Sequence, residues 1–418
     1  MCLGRAQYIA LLHVENRNGE SFRHFLLHIL LLSTKISPMP ACNEYPTDLF
    51  SDSYEEARQK FKDSLSIIRQ LFPNAQHQSH SLSIDPSLTI DWITSEPPAK
   101  EKLFILTTGQ HGIEGFTGVA VQQLFIHEYL PMLDHATTGL LLVHAINPWG
   151  MKHRRKVNGN NVDLNRNFNL HSHEYDPLFN PAARQLEQLV YPRIALRASW
   201  INRVLFYLRV IANVLTVGRS DFMAGALMGQ YCFPDGIYYG GTEAEEETQV
   251  MMRLYQSMLA AYSQVVHLDM HTGYGPRWQM SLVNTPHELA SSAELAARFG
   301  YPLVQKSNAE EFYATRGDMI GYLHQLKSGL PHIKRFYAST FEFGTYGDSL
   351  LDGIRSLAVM VFEMQARCFG VKSVDSRSWI EQKFDDLYDI RDEKWVNKAL
   401  ADARQAFEGI LKAEGYWE

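Results

Sequence analysis

The chain has 418 residues, 45% hydrophobic and 20% charged, a balance that fits a globular protein with a sizeable core arranged as one large or two ordinary domains. A formal net charge of −7 excludes nucleic acid as a bulk partner, because phosphate binding needs a basic surface. Cys2, Cys42, Cys232 and Cys368 are scattered with no CxxC pair, which argues against a structural cysteine–zinc site and suits a reducing cytoplasm.

The first apolar stretch, residues 24–32, is far below the ~20 residues a transmembrane helix needs, and two histidines interrupt it. It lies too far from the start for a signal peptide, so Met39 is the expected natural start and residues 1–38 an extension outside the fold. Beyond it, helices are predicted at 54–71, 116–128, 181–216, 243–262, 288–299, 318–327, 350–368 and 391–413. Strands are predicted at 103–108, 139–146, 264–270, 280–284, 302–306 and 338–344. This alternation predicts an α/β fold: a mostly parallel or mixed twisted sheet flanked by helices on both faces. Residues 39–372 are expected to form the catalytic domain, with 193–241 as an inserted helical and loop segment and 373–418 as a helical appendage. Within the insertion, 198–217 is apolar but carries Arg203 and Arg209, so it reads as an amphipathic helix over the core or a channel mouth, and no transmembrane segment is expected.

The segment Gly109-Gln110-His111-Gly112-Ile113-Glu114-Gly115 sets an imidazole and a carboxylate three positions apart straight after an apolar run. HxxE recurs by chance in a chain with 17 His and 46 acidic residues. Here, however, glycines at 109, 112 and 115 disfavour helix and let both side chains turn toward one spot. Such a loop also fits the rule that α/β sheets bind ligands at the carboxyl ends of their strands. A catalytic zinc takes three protein ligands and leaves a position for water. His271, in Val265-Val266-His267-Leu268-Asp269-Met270-His271-Thr272-Gly273, is the best third ligand. His267, still within the strand-like run, reads as a histidine satisfied inside the sheet. Asp269 shares a strand face with His271, either orienting its imidazole or serving as a strand-end polar residue.

Between these motifs lies His153-Arg154-Arg155-Lys156, followed by Asn161-Val162-Asp163-Leu164-Asn165-Arg166-Asn167-Phe168. The segment is either a solvated turn or, reaching the same sheet edge, a reader of a substrate carboxylate through an arginine fork. In Thr340-Phe341-Glu342-Phe343-Gly344 an acid stands inside an aromatic, β-prone run. It is either ion-paired or a general base with a raised pKa.

The four motifs HGIEG, VDLNRNF with its preceding basic run, DMHTG and TFEFGTYG occur in the order seen in the zinc carboxypeptidase superfamily, which includes carboxypeptidase A-like peptidases and aspartoacylase-type amidohydrolases. Gly229-Gln230-Tyr231-Cys232-Phe233-Pro234-Asp235-Gly236-Ile237-Tyr238-Tyr239-Gly240-Gly241 further resembles a bacterial peptidase-like branch of unassigned function. The resemblance, over roughly residues 45 to 370, implies one zinc per chain held by His111, Glu114 and His271, and Glu342 as general base. It implies Arg155 as the group polarising the scissile carbonyl, and Asn165 and Arg166 as holders of the substrate carboxylate. For the family's substrate-capping tyrosine, Tyr313, Tyr322 and Tyr346 stay open. The expected substrate is a small peptide cleaved near its carboxylate. Alternatives are an N-acyl amino acid, because DMHTG is an aspartoacylase-like setting, or a metal-dependent binding protein without turnover.

Overall fold

The structure, a computed structural model, describes residues 49–307 and 315–417. The expected N-terminal extension, 1–38, lies outside the described residues. The helix α1 (Tyr54–Leu71) starts where Ser53 accepts a hydrogen bond from Glu56 N; acids in its first turn and Arg69 in its last complement the helix dipole. Strands follow at β1 (Gln76–Ser81), β2 (Thr89–Ser95) and β3 (Lys102–Thr108), then α2 (Gly115–Glu128) and β4 (Thr138–His144). The insertion supplies α3 (Trp200–Val217) and α4 (Arg219–Leu227). The chain continues as α5 (Glu246–Leu259), β5 (Gln264–Gly273), β6 (Met280–Asn284), α6 (Ser292–Phe299), β7 (Val304–Lys306), α7 (Met319–Ser328) and β8 (Arg335–Gly344). It closes with α8 (Leu350–Cys368), α9 (Val374–Tyr388) and α10 (Glu393–Ala413).

The strands form one sheet in the order β1-β2-β4-β3-β5-β8-β6-β7. The central four run parallel, while β2 pairs antiparallel with β4, and β6 antiparallel with β8. The mixed α/β sheet is therefore as expected. Alternation along the central strands sends Phe104 and Leu106 into one core and Leu103 and Ile105 into another, so helices cover both faces. Each fully buried side chain of this size contributes ~1.5–3 kcal/mol relative to exposure, and truncating one such as Phe104 to Ala would cost about 3–5 kcal/mol.

Some elements differ from the sequence expectation. The helix predicted at 181–216 is broken into Pro181–Gln185, Glu187–Val190 and α3. Pro192, which lacks an amide hydrogen and disfavours helix in the residue before it, stands in the gap. Strands β1 and β2 were not foreseen. β1 reads Gln-His-Gln-Ser-His-Ser, with no apolar residue to betray it, and is held as an edge by its ladder to β2 and by His77 against Asp91. The segment from 373 is helical, and its helices are part of the body: Trp395, Phe407 and Ile410 are buried in the same core as Phe104 and Phe341.

Candidate metal centre

His111 and Glu114 leave the end of β3 in a tight 3-10 turn, Gly112–Glu114, that runs directly into α2. Gly109 is left-handed (φ +67°), and a β-carbon there would lie 2.7 Å from Ala145 Cβ; one on Gly112 would fall 2.1 Å from the Gly150 carbonyl carbon. Only glycine lets these two loops approach. Backbone bonds from Gly112 N to Lys156 O and from Ile113 N to Arg155 O then fix the basic run beside the ligand turn.

His271 arrives from the end of β5. Its Nδ1 lies 3.0 Å from Glu114 Oε2 and 3.1 Å from His111 Nδ1, and His111 Nδ1 is 2.9 Å from Glu114 Oε1. Among the described residues, these three buried side chains are the group able to hold a metal ion, with one ligating atom from each within 4.8 Å of the others. The expected ligand set is thus brought together.

A second layer of carboxylates orients both imidazoles. Asp269 Oδ2 takes the far nitrogen of His271 at 2.6 Å, and Asp163 Oδ1 faces His111 Nε2 at 3.1 Å. Of the two roles open to Asp269, orientation is the one the geometry shows. The chain of bonds goes deeper: Thr107 donates to Asp269 Oδ1 at 2.6 Å, and its hydroxyl faces His267 Nε2 at 2.9 Å. His267 is the buried sheet histidine expected, and burial pushes its ring down to about 4. Asp163 was not singled out as a site residue. Its contact with His111 joins two loops and has no sequence signature beyond the DLN tripeptide itself.

Charge balance tests the fit of a metal. Four carboxyl groups, Glu114, Asp163, Asp269 and Glu342, are buried together. Lys156 is the ammonium among them, its Nζ 2.7 and 2.9 Å from the two nitrogens of His111 and 3.5 Å from Glu114. Burial, the largest influence, opposes ionisation of Glu114 and Asp163, but His111 and Lys156 outweigh it and hold both well below the usual carboxylate range. Burial likewise works against a charged His271, yet Asp269 and Glu114 raise its ring well above the ordinary value. The pocket is thus built to hold positive charge against its carboxylates. With two imidazoles and a carboxylate converging, the donor set suits zinc.

Glu342 sits on β8, beside the cluster. Burial first, and then the Glu114 charge, push its carboxyl up to about 7, while Tyr274 N donates to it at 3.1 Å. His111, Glu114, Lys156, Asn165, His271, Tyr274 and Glu342 line one cleft of ≈ 540 Å³, open to solvent. The rest of its lining includes the neutral polar Asn284, Thr285, Ser307 and Thr340, the carboxyl of Asp318, and the apolar Val283 and Ile320.

Two expected residues take other positions. Arg155 does not line the cleft; it donates to Glu363 at 3.1 Å and to Asn161 at 3.2 Å. Arg154, at φ 50°, turns to Asp385 and Asp389. The three basic residues fan apart, so the one pointing inward is Lys156. Arg166 is buried, and its guanidinium donates to Asn165 O at 2.9 Å and Leu227 O at 3.0 Å over the Tyr238 ring, its charge felt by Asp163 and Asp318. It braces the loop and does not line the cleft; its neighbour Asn165 does, with Oδ1 accepting from Met319 N.

Of the open tyrosines, Tyr322 is packed on Phe168 in the core and Tyr346 donates to Lys383 O under Arg355. Tyr313 lies outside the described residues. Among the described residues, the tyrosine that lines the cleft is Tyr274, whose hydroxyl meets that of Tyr238. It stands three residues after His271 and was not among the three tyrosines expected.

A family model described as "Protein of unknown function (DUF2817)" matches residues 50–402. A search of curated proteins finds no match. Among solved structures, a carboxypeptidase A from Helicoverpa armigera is similar at 14% identity and TM-score 0.42, covering 93% of this chain and 82% of that one. Bovine thrombin-activatable fibrinolysis inhibitor, solved with a tick carboxypeptidase inhibitor, aligns at 13% identity and TM-score 0.42, with 81% and 99% covered. The murein-tripeptide amidase MpaA from Escherichia coli O157 aligns at 20% identity and TM-score 0.33, with 71% and 92% covered.

Proposed function

The chain belongs to the DUF2817 family of proteins of unknown function, and we propose that within it this protein is a zinc-dependent hydrolase of an amide bond, first of all a small-peptide carboxypeptidase. The observation that carries this reading is the buried His111–Glu114–His271 cluster, both imidazoles backed by carboxylates, beside a buried acid with a raised pKa. A zinc ion held by those three residues would acidify a water and polarise a carbonyl.

The chain's own groups do the rest. Glu342, protonating near neutrality, is suited both to take a proton from the attacking water and to hand it to the leaving amine. Lys156, directed at the same point, would donate to the carbonyl oxygen as negative charge develops there, the work that the family resemblance implied for Arg155. Tyr274 supplies a hydroxyl at the cleft wall.

A second reading, hydrolysis of an N-acyl amino acid, is favoured by one observation: the third ligand, His271, stands in the Asp269-Met270-His271-Thr272-Gly273 setting, with Asp269 Oδ2 2.6 Å from its ring. The deciding experiment measures zinc in the purified protein and follows cleavage of mixed short peptides and N-acyl amino acids, with and without a chelator. About one zinc per chain and chelator-sensitive cleavage of one class are expected. Absence of metal, or a loaded protein inert on both classes, would overturn the proposal.

A further inference from the structure

Helix α3 presents two apolar faces. The inner one is occupied: Phe206 and Val210 are buried, Phe206 packs on Phe362 of α8 at 5.1 Å, and Arg203 lies 4.9 Å from the Trp379 ring. Its outer face carries Ile201, Leu205, Leu208 and Leu215 at spacings of four, three and seven, which places them on one stripe. These side chains are 39–80% exposed, Leu215 the most, and Trp200 at the helix start is 56% exposed. Nothing among the described residues covers them. By length and composition the helix passes for a membrane span, yet only 11% of its residues are buried.

Charge separates the possible occupants. From residue 188 to 220 the chain has five arginines, Arg193, Arg197, Arg203, Arg209 and Arg219, and no acid, although the whole chain is at −7. Arg193 is bonded to Asp235 and Arg203 is stacked, but Arg197, Arg209 and Arg219 are exposed and form no ion pair among the described residues. Asp221, at the start of α4, is the nearest acid in sequence. An acidic protein that collects arginines around an exposed aliphatic stripe with a tryptophan at its end has the pattern of a helix lying in a lipid interface. A second copy would bring the same positive charges face to face.

We infer that α3 docks this protein on an anionic lipid surface, lying flat in the headgroup region with Ile201, Leu205, Leu208 and Leu215 inserted. It does not span, because its inner face is packed on α8 and α9. The proposal is independent of the hydrolase reading, since none of these residues touches the cleft.

The test is flotation of the full chain with vesicles of phosphatidylcholine alone or mixed with phosphatidylglycerol, alongside size-exclusion chromatography. Binding is expected only with phosphatidylglycerol and should weaken as salt rises. Replacing Arg197, Arg209 and Arg219 by Gln should lower partitioning on the order of 10²-fold. Leu205→Ser, Leu208→Ser and Leu215→Ser together should lower it at least about tenfold, with melting behaviour and any hydrolysis unchanged because these positions are exposed. The residues before 49 remain in every variant, so flotation that survives both sets of substitutions would assign lipid binding elsewhere and overturn the proposal. It would be overturned equally if phosphatidylglycerol vesicles bind nothing, or if the leucine variant changes only self-association.

Discussion

His271 and Glu342 are register partners on the parallel strands β5 and β8, so the ligand and the acid are set side by side by one rung of the backbone ladder. Their separation is fixed by sheet geometry rather than by loop conformation. Conservative substitution at either position should therefore change chemistry without moving the other.

Glu342→Gln is the direct case. The amide keeps the shape and can still accept from Tyr274 N. Zinc content and melting temperature should match the parent, while kcat falls about 10²–10⁴-fold, the usual contribution of a general base. A variant within tenfold of the parent would remove Glu342 from the mechanism.

Lys156 and Arg155 separate what the sequence and the structure assign. Lys156→Gln removes the ammonium that faces His111 and Glu114, and should cost about 10²–10³-fold in kcat with zinc retained. Arg155→Gln breaks its pairing with Glu363 and should lower stability by about 1–3 kcal/mol while kcat stays near the parent value. Steady-state kinetics and denaturant melts on both variants check this; the reverse pattern would restore Arg155 to the site.

Arg166→Lys tests a residue expected to hold the substrate carboxylate and found bonded to two carbonyls. A guanidinium bonded to two carbonyls braces the loop, so the Lys variant should lose about 1–3 kcal/mol of stability. Free and amidated substrates should then be affected equally. If amidation harms the parent far more than the variant, Arg166 does read a substrate carboxylate.

Acid stability follows from His144. It is buried at the end of β4 with Nδ1 2.7 Å from Thr108 Oγ1, and burial pushes its ring down from the ordinary 6.5 to about 4. Between those values the unfolded chain binds a proton that the folded chain refuses. Stability is therefore full above pH ~6.5 and falls as pH drops toward 4, by about 3 kcal/mol for this residue. His267, depressed in the same way, adds to the trend. In His144→Asn, melts across this range should show a shallower dependence on pH, whatever the absolute stability. An unchanged slope would mean that His144 is charged in the folded protein.

Much of the sheet was legible because its central strands are largely apolar runs ending in glycine loops, as Leu103 to Leu106 and, interrupted by His267, Val265 to Leu268 show. The ligands were legible for the same reason: His111 and His271 follow directly from those runs. What escaped depends on chain reversal and side-chain direction, which no pattern records. β1 carries no apolar residue. Lys156 and Arg155 differ only in which way consecutive residues point from a bend in the chain. Asp163 is known as His111's partner only once the loops are folded together.

The loop bearing Asp163 and Asn165 takes its form from a stretch some seventy residues away. Asp163 N bonds to Tyr239 O, the Asn167 amide to Gly240 O and Glu243 O, the Asn161 amide to Pro234 O and Gly236 O, and Tyr231 Oη to Arg166 O. The DLNRNF segment is thus a cast whose mould is residues 227–243. Grafted alone into another scaffold it would keep its composition and lose its shape, and His111 would lose its carboxylate backing with it. Any transplant of this centre has to carry both pieces.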